Sequence, residues 1–364
     1  MSKRIIQLAI TMAAISAVWS AQAETSVTVY GIVDSNLEYV SNNDPASDNG
    51  NKFRVRSGGL NGSRFGLKGV EDLGKGYKAI FTLEAGIDMT NGKSAYANRL
   101  FGRKAFVGLS TPWGDITLGR QFTPIFSMLV PYTPGGFSPQ YEPIGSIMTG
   151  ILDNSVLYRH KIGSVNVGAY YAFNTQQSQR EGGLGSASSF GAVASYEPSK
   201  TSGILIGYNR INGRSNNGGT VSPSRGGKAE NYIITGKIGY ERWQLKAGYR
   251  YRVLDLVAPD AGPVKSHLIM VGVEYQQTEK LNLSMSYYNE KYRNAPVGWM
   301  NLRKTNLHQF SFKGIYSLSK RTNLYAVAAV SRNGPLNLGA SASYRLTEGA
   351  NGQFGAALGI RHVF

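Results

Sequence analysis

The chain has 364 residues and a formal net charge of +17, with 45 glycines, 22 tyrosines and 14 phenylalanines. It contains no cysteine, which excludes disulfides, thiolate metal sites and cysteine nucleophiles. A basic excess of this size suits nucleic acid, anionic lipid or anionic solutes as partners.

The N-terminal residues have the features of a secretory signal peptide. Lys3 and Arg4 precede an apolar run from Ile5 to Val18, and Ala21-Gln22-Ala23 forms a small-x-small cleavage site. The apolar run is too short to span a bilayer comfortably, which favours a cleaved signal over a membrane anchor. We place the signal peptide at residues 1–23, which leaves 364 − 23 = 341 residues and a net charge of 17 − 2 = +15. Export argues strongly against nucleic acid as the partner.

Residues 24–364 contain repeated segments of alternating polarity, which predict β-strands with one apolar face. The clearest runs are Val27, Val29, Val33, Leu37 and Tyr39; Tyr77, Ala79, Phe81 and Leu83; Val165, Val167, Ala169, Tyr171 and Phe173; Tyr232, Ile234, Ile238 and Tyr240; Leu245, Ala247, Tyr249, Tyr251 and Val253; and Leu281, Leu283, Met285 and Tyr287. The residues between them are small, polar or charged. No stretch reaches the length of a membrane helix, whereas a membrane barrel needs only one apolar face per strand.

Alternation alone also fits a soluble sandwich, and the connections decide between the two. Short links alternate with long polar ones, as in outer-membrane barrels. The short links are 71–76, 111–115, 197–200 and 277–280, and the long ones are 41–52, 88–98, 121–153, 175–187, 212–228, 254–265, 291–305 and 333–353. This pattern predicts an all-β fold, an antiparallel transmembrane β-barrel of about 16 strands with both termini on the short-turn side. A barrel of that size encloses an aqueous lumen.

The C-terminal segment predicts a last strand with one apolar face, formed by Ala356, Leu358, Ile360, His362 and Phe364. A final strand that ends in phenylalanine resembles the signal read by the outer-membrane assembly machinery. We therefore expect Phe364 to act as an assembly signal and the protein to reside in the bacterial outer membrane.

Several segments, in order along the chain, resemble the general trimeric porins of Gram-negative bacteria, in their beta-proteobacterial branch. The matching segments are 26–34 (SVTVYGIVD), 63–74 (SRFGLKGVEDLG), 101–109 (FGRKAFVGL), 118–121 (LGRQ), 318–325 (LSKRTNLY) and 359–364 (GIRHVF). The resemblance implies a homotrimer of 16-stranded barrels, each a passive channel for small hydrophilic solutes. It also implies a third long loop that folds inward and narrows the pore.

In this chain the constriction loop would be about residues 121–153, a long non-alternating stretch. A disordered surface loop is the alternative, but its apolar residues favour a loop folded into the barrel. These residues are Phe122, Ile125, Phe126, Leu129, Val130, Ile144 and Ile147.

If the apolar faces meet lipid, the intervening residues face the pore. The predicted lumen and constriction residues are Asp34, Arg64, Lys68, Arg103, Lys104, Glu142, Lys246 and Arg250, with Glu38, Glu84, Lys237, Arg252, Glu274, Glu290 and Lys313 on the same register. The resemblance places Arg64 and Lys104 opposite the constriction loop. The basic excess predicts an anion preference. Leu152-Asp153 stands where anion-preferring relatives tend to carry arginine, so a nearly neutral constriction is the alternative.

An enzyme is the main competing interpretation, since some outer-membrane barrels are hydrolases. The four histidines, His160, His267, His308 and His362, fall in different strands without a GxSxG or HExxH context. We therefore predict no catalytic residue, metal or cofactor. A solute-specific channel, for example for anionic solutes, and an adhesin stay open as alternatives. The predicted partners are a second and third copy, outer-membrane lipids and lipopolysaccharide, the assembly machinery and small hydrophilic solutes, but no nucleic acid.

Overall fold

The computed structural model describes residues 25–43, 50–96, 99–136, 138–143, 147, 150–173, 188–212, 227–255, 262–295, 304–339, 341 and 343–364. The predicted signal peptide (1–23) and the predicted loop 175–187 lie outside these residues. Most of the described residues lie in β-strands.

The strands follow one another in chain order around a single antiparallel sheet. They are β1 (Ser26–Val40), β2 (Lys52–Ser57), β3 (Arg64–Gly74), β4 (Tyr77–Gly86), β5 (Lys104–Thr111), β6 (Gly114–Phe122), β7 (Ile151–Ile162), β8 (Val165–Ala172), β9 (Ser189–Tyr196), β10 (Gly203–Asn212), β11 (Lys228–Tyr240), β12 (Trp243–Asp255), β13 (Val264–Gln276), β14 (Leu281–Arg293), β15 (Asn306–Ser317), β16 (Thr322–Arg332) and β17 (Phe354–Val363).

The sheet closes on itself, because β1 pairs with β17 from Ile32↔Val363 to Val40↔Gly355. On its other side β1 pairs with β2 near its end and with β3 near its start. β2 and β3 are thus two segments of one barrel strand, and the closed barrel has 16 strands. The predicted fold class is confirmed.

Asp34 organises the break between β2 and β3. Its carboxylate accepts backbone N–H groups from Gly59 at 3.0 Å, Leu60 at 2.9 Å and Asn61 at 2.8 Å. The hydroxyl of Tyr325 donates to the same carboxylate at 2.6 Å. These bonds satisfy backbone groups that leave the ladder where the strand is interrupted.

The two faces of each strand differ as the alternation predicts. On β1, Val27 is 59 % exposed and Val29 is 64 % exposed, whereas Asp34 and Glu38 on the other face are buried. The apolar outer wall suits lipid, and the polar side chains line the interior.

Short turns and long connections lie at opposite ends of the barrel. The turns at 75–76, 112–113, 163–164, 197–202, 241–242, 277–280 and 318–321 join strands at the end that also carries the first and last residues of the barrel. The eight longer connections leave the other end. The predicted arrangement of links is confirmed, and the constriction loop runs from 123 to 150, slightly inside the predicted bounds.

The helical segments are α1 (Pro124–Leu129) and the 3-10 turns Val130–Tyr132 and Leu336–Gly339, and Ile147 is a further described residue in helical conformation. No helix in the described part of the chain is long and apolar enough to cross a membrane.

Phe364 completes the seam between the last and first strands. Its backbone N–H donates to the carbonyl of Gly31 at 3.1 Å, and the N–H of Gly31 donates back at 3.0 Å. The phenyl ring covers Gly31 so closely that a side chain at that position would overlap it. The predicted alternating face of β17 is confirmed, with Leu358, Ile360 and Phe364 exposed.

Candidate pore constriction

Three cationic side chains surround one carboxylate on the inner face of β3, β4 and β5. Arg103 Nε lies 2.7 Å, Lys104 Nζ 3.7 Å and Arg64 Nε 3.9 Å from the nearest oxygen of Glu84. Strand register produces this group, because Glu84 is the direct partner of Lys104 and lies two residues along the register from Arg64. We call Arg64, Arg103, Lys104 and Glu84 the basic wall cluster. It carries three positive charges against one negative charge.

The constriction loop begins beside this cluster. The guanidinium of Arg103 lies 5.1 Å and the ammonium of Lys104 5.8 Å from the ring centroid of Phe122, within the range of cation–π attraction. Phe122 in turn stacks on Phe126 of α1 at 5.2 Å. The aromatic start of the loop is therefore held at the basic wall cluster.

The first half of the loop packs on the opposite part of the wall. Thr123 caps α1 by accepting the backbone N–H of Phe126 at 3.1 Å, and proline occupies the first helical position. Ile125 and Leu129, four residues apart, lie on one side of α1 and belong to a buried apolar cluster with side chains of β7–β15. Of the apolar loop residues predicted to fold inward, Ile125, Leu129 and Ile147 are buried, Phe122, Phe126 and Val130 are half-buried, and Ile144 lies outside the described residues.

The second half of the loop is tied to the wall by hydrogen bonds. Ser138 donates to the carbonyl of Gly59 at 2.7 Å, and Gln140 Nε2 donates to Glu38 Oε1 at 2.8 Å. The carbonyl of Tyr141 accepts from Gln309 at 2.6 Å and from Ser311 at 2.7 Å. The loop therefore lies inside the barrel, fixed to β1 and β15.

Several predicted lumen cations lie buried beside acids. Lys246 Nζ is 2.5 Å from Glu274 Oε1, and Arg250 donates to Glu290. Lys246 is 3 % exposed and Arg250 is 0 % exposed. They point to the inner face, as the alternation predicts, but their charges are balanced there.

Glu142, the acidic residue predicted in the loop, also lies buried beside a cation. Its Oε1 is 3.7 Å from Lys313 Nζ, and Lys313 also donates to the carbonyl of Gly135. The carboxyl therefore faces the side chain of Lys313 at the wall of β15 and does not face open space.

Asp153 is also neutralised. Arg99 holds it through two bonds of 2.7 and 2.8 Å, and Arg120 donates to it as well. Leu152 beside it is 1 % exposed and belongs to the apolar cluster. Two arginines thus surround Asp153, one of the residues behind the alternative of a nearly neutral constriction.

Two further cations extend the basic wall cluster. Lys68, four residues toward the short-turn end from Arg64, is exposed and lies 5.8 Å from the ring of Tyr30. Arg159 of β7 donates to the carbonyl of Phe122 at 3.1 Å. Within the described residues neither has a carboxylate within 4 Å. Arg159 was missed in the sequence, although its position between two outward aromatic residues was the available signal.

A second loop, residues 333–353, reaches into the barrel mouth; we call it the closing loop. The hydroxyl of Tyr344 donates to Glu38 at 2.7 Å and contacts Arg56. Its ring lies 5.7 Å from that of Tyr141 in the constriction loop. No sequence signal pointed to this contact, which joins residues far apart in the chain.

In the ranges that the structure covers, no three histidine or acidic side chains are grouped as metal ligands would be. Tyr249 bonds His267 at 2.6 Å, and Tyr287 bonds His308 at 2.8 Å. Both pairs lie on the outer face of the barrel.

Comparison with known proteins identifies the family. A family model described as Gram-negative porin matches residues 9–336. Outer membrane porin protein 32 of Delftia acidovorans is 29 % identical over 392 aligned residues that cover all of both chains. An outer membrane porin protein of Bordetella pertussis is 30 % identical, and the alignment covers 86 % of this chain and 91 % of the relative. The solved anion-selective porin from Comamonas acidovorans has a TM-score of 0.75 at 24 % identity, covering 94 % of this chain and 100 % of that one. The chain therefore belongs to the Gram-negative porins.

Proposed function

We propose that this outer-membrane porin is a passive channel that prefers small anions, and that the basic wall cluster sets this preference. The observation that carries the proposal is the set of three cations around the single carboxylate of Glu84. Membership of the porin family makes the chain a channel of the outer membrane and not an enzyme.

The distribution of charge inside the barrel supports an anion preference. The basic wall cluster has a net of two positive charges, and Lys68 and Arg159 add two more without a nearby carboxylate in the described residues. By contrast, the lumen cations Lys246 and Arg250 are each matched by an acid. The uncompensated charge is thus concentrated on one side of the lumen.

Geometry makes this charge effective. Salt screens a charge beyond about 10 Å at 0.1 M, so an ion that passes through the centre of a wide vestibule feels it weakly. The constriction loop lies inside the barrel and begins beside the cluster, where Phe122 contacts Arg103 and Lys104, and we propose that it leaves no wide central path for an ion. A solute must pass close to the cluster in a low-dielectric wall, which raises the local anion concentration.

The same proposal includes a homotrimer, a signal peptide cleaved after Ala23 and assembly through recognition of Phe364. A trimeric form is described for OmpT of Vibrio cholerae, which is 16 % identical with a TM-score of 0.66. The test is gel mobility: the folded protein should migrate as a trimer before boiling and as a monomer after it. Monomeric migration at every temperature tried would contradict the trimer.

The selectivity is tested by single-channel reversal potentials in a potassium chloride gradient. The wild type should give a potential of anion-selective sign that weakens as salt rises. Replacing Arg64 and Lys104 by glutamine should move it toward zero, whereas replacing the buried Lys246 by glutamine should not. A cation-selective wild type, or a potential unchanged by the double substitution, would overturn the proposal.

A further inference from the structure

Aromatic rings that are only half-buried lie beside the basic wall cluster. They belong to Phe122, Phe126 and Tyr96. Elsewhere inside the barrel, tyrosines such as Tyr132 and Tyr288 are 0 % exposed. The basic wall cluster is thus a part of the lumen where positive charge and aromatic surface are both open to a passing solute.

The ring of Phe122 is held between a second ring and the cations. It stacks on Phe126 with the ring centroids 5.2 Å apart and 18° between the planes. The guanidinium of Arg103 lies 5.1 Å and the ammonium of Lys104 5.8 Å from its centroid. The backbone carbonyl of Phe122 accepts a hydrogen bond from Arg159 at 3.1 Å. A ring positioned by several contacts loses little freedom when a solute packs against it.

Tyr96 provides further aromatic surface next to Arg103. Its hydroxyl accepts a hydrogen bond from Arg103 Nη1 at 3.3 Å, and the guanidinium of Arg120 lies 5.8 Å from its ring centroid. The ring packs on the backbone of Gly86 and Gly102, where a Cβ added at either position would lie 2.7 Å from a ring carbon. Glycine at these two positions therefore leaves room for the ring beside the cations.

Lys104 is the most accessible cation of the basic wall cluster. Its side chain is 31 % exposed, against 21 % for Arg64 and 13 % for Arg103. Arg103 Nε is 2.7 Å from Glu84, whereas Lys104 Nζ is 3.7 Å from the same carboxylate. Because Lys104 also lies beside the ring of Phe122, a carboxylate that pairs with Lys104 brings the rest of its molecule to that ring.

We propose that the basic wall cluster binds planar aromatic carboxylates, of which benzoate is the simplest, more tightly than saturated carboxylates of similar size. The carboxylate pairs with Lys104 and Arg64, and the ring packs against Phe122. Aromatic rings in offset or edge-to-face contact attract each other beyond the area that they bury. The ring of benzoate is coplanar with its carboxylate, so it can lie against Phe122 while the charge faces the cations. The inference rests on the proposed anion channel and names a class of solute for it.

The test compares benzoate with cyclohexanecarboxylate, which has the same charge and the same number of carbon atoms. Each is added as its potassium salt to both sides of a membrane that contains single channels of the full folded protein. The concentration that halves the chloride current is measured. For benzoate it should be about twofold to tenfold lower, the gain expected from one aromatic contact. Equal concentrations would overturn the inference, and this comparison requires no variant.

Three variants locate the contact. Phe122→Leu removes the ring but keeps an apolar side chain, so the two carboxylates should inhibit equally. Phe310→Leu makes the same change on the outer wall, where Phe310 is 55 % exposed, and should keep the wild-type difference. Lys104→Gln should raise both half-inhibiting concentrations, because the pairing cation is lost. A difference that persists in Phe122→Leu or disappears in Phe310→Leu, or inhibition unchanged in Lys104→Gln, would each contradict the proposed site.

The reversal potential of the wild type in potassium chloride separates this inference from the proposed function. An anion-selective channel that responds equally to the two carboxylates would contradict the inference alone. A cation-selective channel would contradict the proposed function, and stronger inhibition by benzoate in that channel would still support the contact with Phe122.

Discussion

Glu84 lies within 4 Å of Arg64, Arg103 and Lys104, so its carboxylate both holds the basic wall cluster together and reduces its charge. We expect Glu84→Gln to strengthen the anion preference, because three cations then remain without their shared acid. The same change should weaken the folded state by about 3 kcal/mol, since it breaks a buried ion pair. Reversal potentials and thermal unfolding measure the two effects separately.

Glu274→Gln is the matched control for this prediction. It removes the partner of Lys246, 2.5 Å away, at a pair whose lysine is buried. The fold should again be weakened, but the reversal potential should stay at the wild-type value. Equal shifts in both variants would show that total lumen charge, not the basic wall cluster, sets selectivity.

Glu142 makes the constriction loop sensitive to pH. Burial raises the pKa of its carboxyl, and the ammonium of Lys313 offsets this only in part. Because the folded-state pKa is raised, the folded protein favours the protonated carboxyl. Its stabilising contribution is therefore complete at pH values below the ordinary pKa of glutamic acid. This contribution is lost as pH rises through the raised value. We therefore expect single-channel current noise to increase with pH across that window.

Two substitutions check the assignment to Glu142. Glu142→Gln keeps a neutral side chain at every pH, so its current noise should not change across the window. Asp88→Asn should leave the wild-type response intact, because hydrogen bonds from Thr90 lower the pKa of Asp88. A pH response that survives in Glu142→Gln would assign the effect to another group.

For single residues, the alternation of the sequence predicted which face is inward but not how exposed each side chain is. Arg64 and Lys246 are each followed by an outward apolar residue, Phe65 and Ala247, and both face the interior. Only Arg64 lies in the cluster beside the loop start, while Lys246 is 3 % exposed beside Glu274. What covers a lumen residue depends on the path of a loop from another part of the chain, which periodicity does not encode.

The closing loop acts on the pore as an element, through Tyr344. Its hydroxyl donates to Glu38, and its ring packs on Tyr141 of the constriction loop. Tyr344→Ala removes both contacts and should give a larger, noisier single-channel current, because one support of the constriction loop is lost. Tyr344→Phe keeps the ring and should have a smaller effect.

Tyr196→Ala provides the comparison for loss of a tyrosine, since Tyr196 is 53 % exposed on the outer wall. Its current should match that of the wild type. If Tyr344→Ala also conducted with wild-type amplitude and noise, the closing loop would have no part in holding the constriction.

Among the elements, the strands and the two classes of connection could be predicted because each carries a local signal: period-two alternation, turn residues and loop length. The contact between Tyr344 and Glu38 joins residues 306 positions apart and has no such signal. The break between β2 and β3 was also not predicted. It depends on Asp34 accepting three backbone N–H groups, which is a tertiary arrangement.

At the scale of the whole barrel, closure depends on the pairing of β1 with β17. Open strand edges are not tolerated in lipid, because unpaired backbone groups there have no water to bond. Phe364 contributes two of the seam bonds, both to Gly31, and its ring covers that glycine. Phe364 therefore contributes two backbone hydrogen bonds to the seam, and its aromatic side chain is available for recognition by the assembly machinery.

Two changes at this position separate these contributions. Deleting Phe364 removes the backbone pair and the ring, so both refolding in detergent and the level of assembled protein in the outer membrane should fall several-fold. Phe364→Ala keeps the backbone pair and should refold in detergent like the wild type. It should still assemble poorly in cells, because the assembly machinery is proposed to read the ring. Molecules of either variant that do assemble should conduct normally, since the constriction lies elsewhere.

Heat-modifiable mobility on gels measures assembly of both variants. Wild-type outer-membrane levels of Phe364→Ala would show that assembly requires the seam bonds and not the aromatic ring.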